Sequence, residues 1–182
     1  MNMLINAGMF QIAWFAAVLS ASQGYPWVGA LTMLMAILLH LGRASRPQPE
    51  LILVLVCGVI GAIWESVLVA LGWVSYPSGT WVANLAPYWI VTMWMLFATT
   101  LNISFGWLKG RPLLAIAFGA IGGPLSFFTG HKLGGVVLVE FQTALIALAI
   151  GWGLVMPVLL ELADHFDGVS NTSEPGNQWA LD

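Results

Sequence analysis

The chain of 182 residues is 59% hydrophobic and only 7% charged, where soluble domains carry about a quarter charged residues. That balance excludes an ordinary water-soluble fold, and a net charge of −3 with five scattered basic residues excludes a nucleic-acid footprint. The single cysteine, Cys57, lies inside an apolar run with no partner for a disulfide or a cysteine metal site, and reads as a small buried hydrophobe.

Apolar blocks of roughly 17 to 25 residues, the length that crosses a bilayer, alternate with short polar or Pro/Gly breaks. They predict an all-α polytopic membrane protein, a six-helix transmembrane bundle, with helices near 3–21, 26–42, 50–73, 86–107, 112–129 and 135–160. The first block precedes small residues in "VLSASQ", but residues 1–10 hold no Lys or Arg and a second apolar block follows at once. A retained helix is therefore expected rather than a signal peptide. The turn formers in "SQGYPW" and "RASRPQP", and Pro87 and Pro112 at helix starts, punctuate the chain. Residues 1–166 make the transmembrane domain. Residues 167–182 are polar and aperiodic, which predicts a disordered tail.

Lys and Arg are retained on the cytoplasmic side of short loops. Arg43 and Arg46 in the second loop, with Lys109 and Arg111 in the fourth, put both termini inside (N-in/C-in); Lys132 in the fifth loop is the exception. Trp27, Trp73, Tyr76, Trp81, Tyr88 and Trp89 then gather near the outer boundary, as an aromatic belt or as a mouth.

Helix 3 carries Glu65 inside "GAIWESVLVALGW". At 100° per residue, Gly58, Gly61, Ala62, Glu65 and Gly72 form one stripe, and small residues let helices approach closely, so Glu65 is expected to point inward. Helix 6 repeats the arrangement with Glu140, Ala144, Ala147 and Gly151, while Gln142 turns away. Glu65 and Glu140 would lie ~12 Å and ~8 Å below the outer helix ends. A charged acid at the bilayer centre costs at least about 2.5–3.5 kcal/mol, so each must be protonated, paired or hydrated. Partners at that depth are Lys132, His131, Gln11, Ser126, Thr129, Tyr76 and Trp81. The two acids either serve proton or cation chemistry in an outward-facing pocket, or stay neutral and fix packing through hydrogen bonds.

Gly119-xxx-Gly123 marks close packing in helix 5, and Pro124 after it removes a helix hydrogen bond beside His131. His131 stands apart from His40 and His165, so no metal cluster is indicated. No phosphate loop, nucleophile elbow or dinucleotide fingerprint implies a cofactor. Asn102 in helix 4 suits an interhelical hydrogen bond. The internal echo of "CGVIGA" in helix 3 by "FGAIGG" in helix 5 suggests hairpins on one plan. The candidate catalytic set is Glu65, Glu140 and His131; the candidate ligand-binding set is Trp64, Tyr76, Trp81, Trp89 and Lys132.

Through "APYWIVTMWMLFATTLNISFGWL" and "GAIGGPLSFFTGHKLG", with Trp64 and Glu65 ahead of them, residues 3–165 resemble a family of small bacterial inner-membrane proteins known as a domain of unknown function. The resemblance implies a proteobacterial inner membrane and a neighbourhood of fatty-acid modification genes. A fainter likeness joins Glu65 and the following "GWVSYPSGTW" to membrane carotenoid cyclases and hydratases. The leading expectation is a protein that binds or modifies an apolar, lipid-like molecule, with membrane lipids as its surroundings. A proton-coupled transporter and a non-catalytic subunit beside a membrane-protein partner are the alternatives.

Overall fold

The computed structural model describes residues 2–169, and among them the apolar blocks fold as six helices. These are α1 (Met3–Ser22), α2 (Pro26–Leu41), α3 (Pro47–Ala70), α4 (Tyr88–Leu101), α5 (Pro112–Lys132) and α6 (Phe141–His165). The starts have local causes. Asn2 accepts the Leu4 amide at 2.9 Å to cap α1, and Pro26, Pro47 and Pro112 occupy first turns, where their missing N–H costs nothing. Helix α3 begins at Pro47 rather than 50 for that reason. It ends at Ala70, and Gly72, expected on its stripe, turns the chain with a φ of +71°.

Four helices, α1, α3, α5 and α6, are long and apolar enough to cross a membrane. Helices α2 and α4, with 16 and 14 residues, reach only ~24 and ~21 Å, short of a hydrocarbon core of ~30 Å. Helix α4 is packed on by α1, α2, α3 and α6, and nine of its 14 residues are buried. Surrounded by protein, it has no hydrocarbon thickness to match. It also stops at Leu101, well before the expected residue 107. The Thr99 and Thr100 hydroxyls donate to the Leu96 and Phe97 carbonyls at 2.7 and 2.6 Å, and the Phe105 amide returns to the Thr100 carbonyl at 2.9 Å. Such local bonds compete with helix propagation, and a short 3-10 turn, Gly106–Leu108, follows.

The loops after α3 and α5 meet in a two-residue antiparallel ladder, β1 (Val74–Ser75) against β2 (Val137–Leu138), with Val74 opposite Leu138 and Ser75 opposite Val137. Gly134, at φ +81°, turns the chain out of α5, and the Val139 amide donates to the Trp73 carbonyl at 3.0 Å. Residues 137–139 are thereby held extended, so α6 starts at Phe141 instead of 135.

Helices pack most extensively in three consecutive pairs: α1 with α2, α3 with α4, and α5 with α6. Glycine permits each. A Cβ at Gly29 would overlap the Ala17 backbone, one at Gly61 the Trp94 ring, and one at Gly123 the Trp152 ring. Trp94 and Trp152 stack on each other across the pairs, 4.7 Å between centroids and 19° between planes.

The first residues assigned to the tail are docked. Gly168 is buried; its carbonyl accepts the Arg46 amide at 2.9 Å, and its amide donates to Glu50 Oε1 at 2.9 Å. Lys109 lies 3.1 Å from Asp167 and 3.5 Å from Asp164. From residue 170 the expected disordered tail lies outside the described residues.

Candidate functional site

Glu65 is fully buried, on the inward stripe of α3 with Gly58 and Gly61. Its two carboxyl oxygens each take one donor. Tyr76 Oη donates to Oε2 at 2.7 Å, and Trp94 Nε1 donates to Oε1 at 3.0 Å. Tyr76 lies just past β1 and is brought back over the end of α3 by the β1–β2 ladder. Trp94 comes from α4, close to α3 because Gly61 offers no side chain. Burial, and next the neighbouring Glu65, push the Tyr76 phenol well above its ordinary value, so the hydroxyl keeps its proton and donates it.

This trio lies in the wall of a cavity of about 340 Å³, a size within the range of small-molecule sites. The lining is aromatic on most sides, with Phe10, Trp14 and Phe15 from α1, Trp89, Trp94 and Phe97 from α4, and Trp152 from α6; α5 supplies Phe118, Gly119, Gly122, Gly123 and Ser126. Helices α1 and α5 flank the cavity without extended packing against each other. Gln11 and Phe15 on α1, and Phe118 and Leu125 on α5, line the cavity and are also exposed on the outer surface of the bundle. The cavity therefore opens sideways, through the gap between mid-α1 and mid-α5.

Glu65, Tyr76 and Trp89 from the sequence-derived set meet here. Trp89 is buried, lies edge-on to Tyr76 with centroids 5.7 Å apart, and donates from Nε1 to the Ser78 carbonyl at 3.1 Å. The others are elsewhere. Glu140, expected to turn inward, is exposed and precedes α6 as its N-cap; the β ladder keeps it out of the helix, while Ala144 and Gly151 from the same stripe are buried as expected. His131 Nδ1 faces the Val136 carbonyl and the Leu138 amide at 3.3 and 3.4 Å, fastening the loop after α5 rather than lining the cavity. Lys132 is exposed, 5.4 Å from the centre of the Phe128 ring. Trp64 packs its ring against Gly151 of α6. Trp81 is 83% exposed and stacks on Tyr88.

Sequence reasoning missed Trp94 and Trp152. The available signal was the pairing of an inward glycine stripe with tryptophans one helix onward. It also passed over Glu50, which is fully buried near the start of α3. Glu50 Oε1 accepts from Asn102 Nδ2 at 2.6 Å, and Oε2 lies 2.7 Å from His40 Nε2. Asn102 thus makes the interhelical bond expected of it. An acid and a histidine ten residues apart across a Pro-rich break were the available hint.

No curated protein and no solved structure matches the chain. The sequence profile of the family described as "Protein of unknown function (DUF2878)" matches residues 3–158, which takes in all of α1 to α5 and most of α6 and so includes every residue of the cavity. The chain belongs to the DUF2878 family.

Proposed function

We propose that this is an inner-membrane protein of bacterial origin that binds, and in its catalytic form modifies, an apolar lipid-like molecule held in the cavity between α1 and α5. The observation that carries the reading is a buried carboxyl, Glu65, held between Tyr76 and Trp94 in the wall of a largely apolar, aromatic cavity. A buried acid in a membrane helix is costly, and pockets of this type use a few placed polar groups to orient an apolar ligand. Glu65 and Tyr76 are the pair from which proton chemistry would proceed, because a phenol and a carboxyl in hydrogen-bond contact can pass a proton between them. With Arg43, Arg46, Lys109 and Arg111 inside, both termini face the cytoplasm, and the Glu65 end of the cavity lies toward the outer leaflet.

A proton relay through two acids is less well supported, since among the described residues Glu65 is the one Asp or Glu lining the cavity and Glu140 is exposed. Native mass spectrometry of gently extracted protein tests the proposal. A co-purifying apolar molecule that Glu65→Gln alters or releases is the expected result; protein that stays bare of lipid under every mild extraction would remove the support.

A further inference from the structure

We infer that the ligand is a single-chain amphiphile with an uncharged or cationic, hydrogen-bond-donating head, entering from the bilayer between α1 and α5, and that Gly122 sets the room for its chain. This rests on the ligand-binding reading above and names the class of molecule bound.

The charge argument comes first. Among the described residues that line the cavity there is no Lys, Arg or His, and the one carboxyl is that of Glu65. An anionic head would bring a negative charge beside a buried carboxyl, into a largely apolar enclosure with no cation to meet it, which is costly. A neutral head avoids that cost; an ammonium head gains from the acid and from the aromatic faces around it.

The hydrogen-bond inventory points the same way. Tyr76 gives its proton to Glu65 and Trp94 gives its N–H to Glu65, while Trp89 gives its own to the Ser78 carbonyl. The Ser126 and Thr129 hydroxyls donate to the Gly123 and Leu125 carbonyls of their own helix. The oxygens of Tyr76, Ser126 and Thr129 keep lone pairs free to accept. The wall therefore offers free lone pairs on three hydroxyl oxygens, to which an alcohol or ammonium head can donate and an ionised carboxylate cannot. Gln11 is exposed at the rim, and the buried Trp152 Nε1 lacks a protein acceptor; neither carries a positive charge.

Shape supplies the chain and the entry route. The α5 lining runs from Phe118 to Gly130, ~18 Å along the helix, so the cavity is elongated, and its opening faces sideways at mid-helix, where hydrocarbon would surround it. Gly122 differs from its neighbours. A Cβ at Gly119 would overlap the Trp152 carbonyl and one at Gly123 the Trp152 ring, so those two are required by packing. At Gly122 a Cβ would meet nothing nearer than the Phe118 ring at 3.8 Å. Helix packing leaves the missing side chain unexplained; cavity width accounts for it.

The test uses the full chain in phosphatidylcholine nanodiscs and three probes of one chain length, stearyl alcohol, stearylamine and stearic acid. Each carries a mid-chain diazirine, and the pH is one at which the acid is ionised. Photolabelling of the α5 peptide is normalised to labelling of α2 and mapped by mass spectrometry. Alcohol and amine are expected to label α5 at least roughly tenfold above the acid, and Glu65→Gln is expected to narrow that gap. Gly122→Phe, with Gly122→Leu as the milder variant, should abolish the α5 signal while α2 labelling and thermal stability persist. Equal labelling by the acid overturns the assignment of the head, and unchanged labelling in both Gly122 variants overturns that of the chain. If no probe labels α5 above α2, the ligand-binding reading itself fails.

Discussion

Glu65 and Glu50 show how two buried acids are tolerated in one largely apolar chain. Each has both oxygens engaged: Glu65 by Tyr76 and Trp94, Glu50 by His40, Asn102 and the Gly168 amide. Removing one donor leaves a buried oxygen short of a partner, at a cost of about 1–3 kcal/mol. Tyr76→Phe is accordingly expected to lower thermal stability in detergent by that amount and to weaken ligand retention, whereas Trp81→Ala, at an exposed site, should change stability by less than ~0.5 kcal/mol. Glu50→Ala strips three groups of their acceptor at once and should cost about 3–5 kcal/mol, as for breaking a buried pair; differential scanning fluorimetry against wild type reads both. The inward turn of Glu65 was legible because its stripe of small residues lies wholly within one helix. The place of Glu140 was not, because where α6 begins depends on residues 137–139 pairing with a loop some sixty positions earlier.

Between elements, glycine and tryptophan set the spacing. Gly61 admits Trp94 and Gly123 admits Trp152, and the two indoles stack where the α3–α4 and α5–α6 pairs meet. The loops after α3 and α5 pair with each other as well. The echo of "CGVIGA" by "FGAIGG" thus has a counterpart in packing: each glycine motif lies under a tryptophan from the next helix. Overpacking such a contact costs about 1–3 kcal/mol, so Gly61→Ala and Gly123→Ala are each expected to destabilise by that much. Gly122→Ala should be neutral or stabilise by up to ~1 kcal/mol through helix propensity. Equal losses at all three positions, measured by thermal unfolding, would show that Gly122 serves packing after all.

For the whole molecule, the enclosure of α4 by α1, α2, α3 and α6 explains how a 14-residue helix sits among helices long and apolar enough to cross a membrane. The expected N-in/C-in arrangement is checked by cysteine labelling in intact cells. Cysteines placed at Thr80 and Ser45, both exposed, should react with a membrane-impermeant maleimide at Thr80 and stay protected at Ser45 until the cells are lysed. Cys57 is fully buried and should give no background; the reverse pattern would invert the bundle.

Composition and periodicity by themselves determined the all-α class, the six helical blocks and the inward aim of Glu65, because hydrophobic length and helical phase are properties of contiguous residues. Tertiary structure alone decided which side chains meet Glu65, that Glu140 stands outside the bundle, and that the cavity opens between α1 and α5. Those outcomes turn on contacts between segments far apart in the chain, where a two-residue ladder or one absent Cβ selects the neighbour, and no local pattern records that choice.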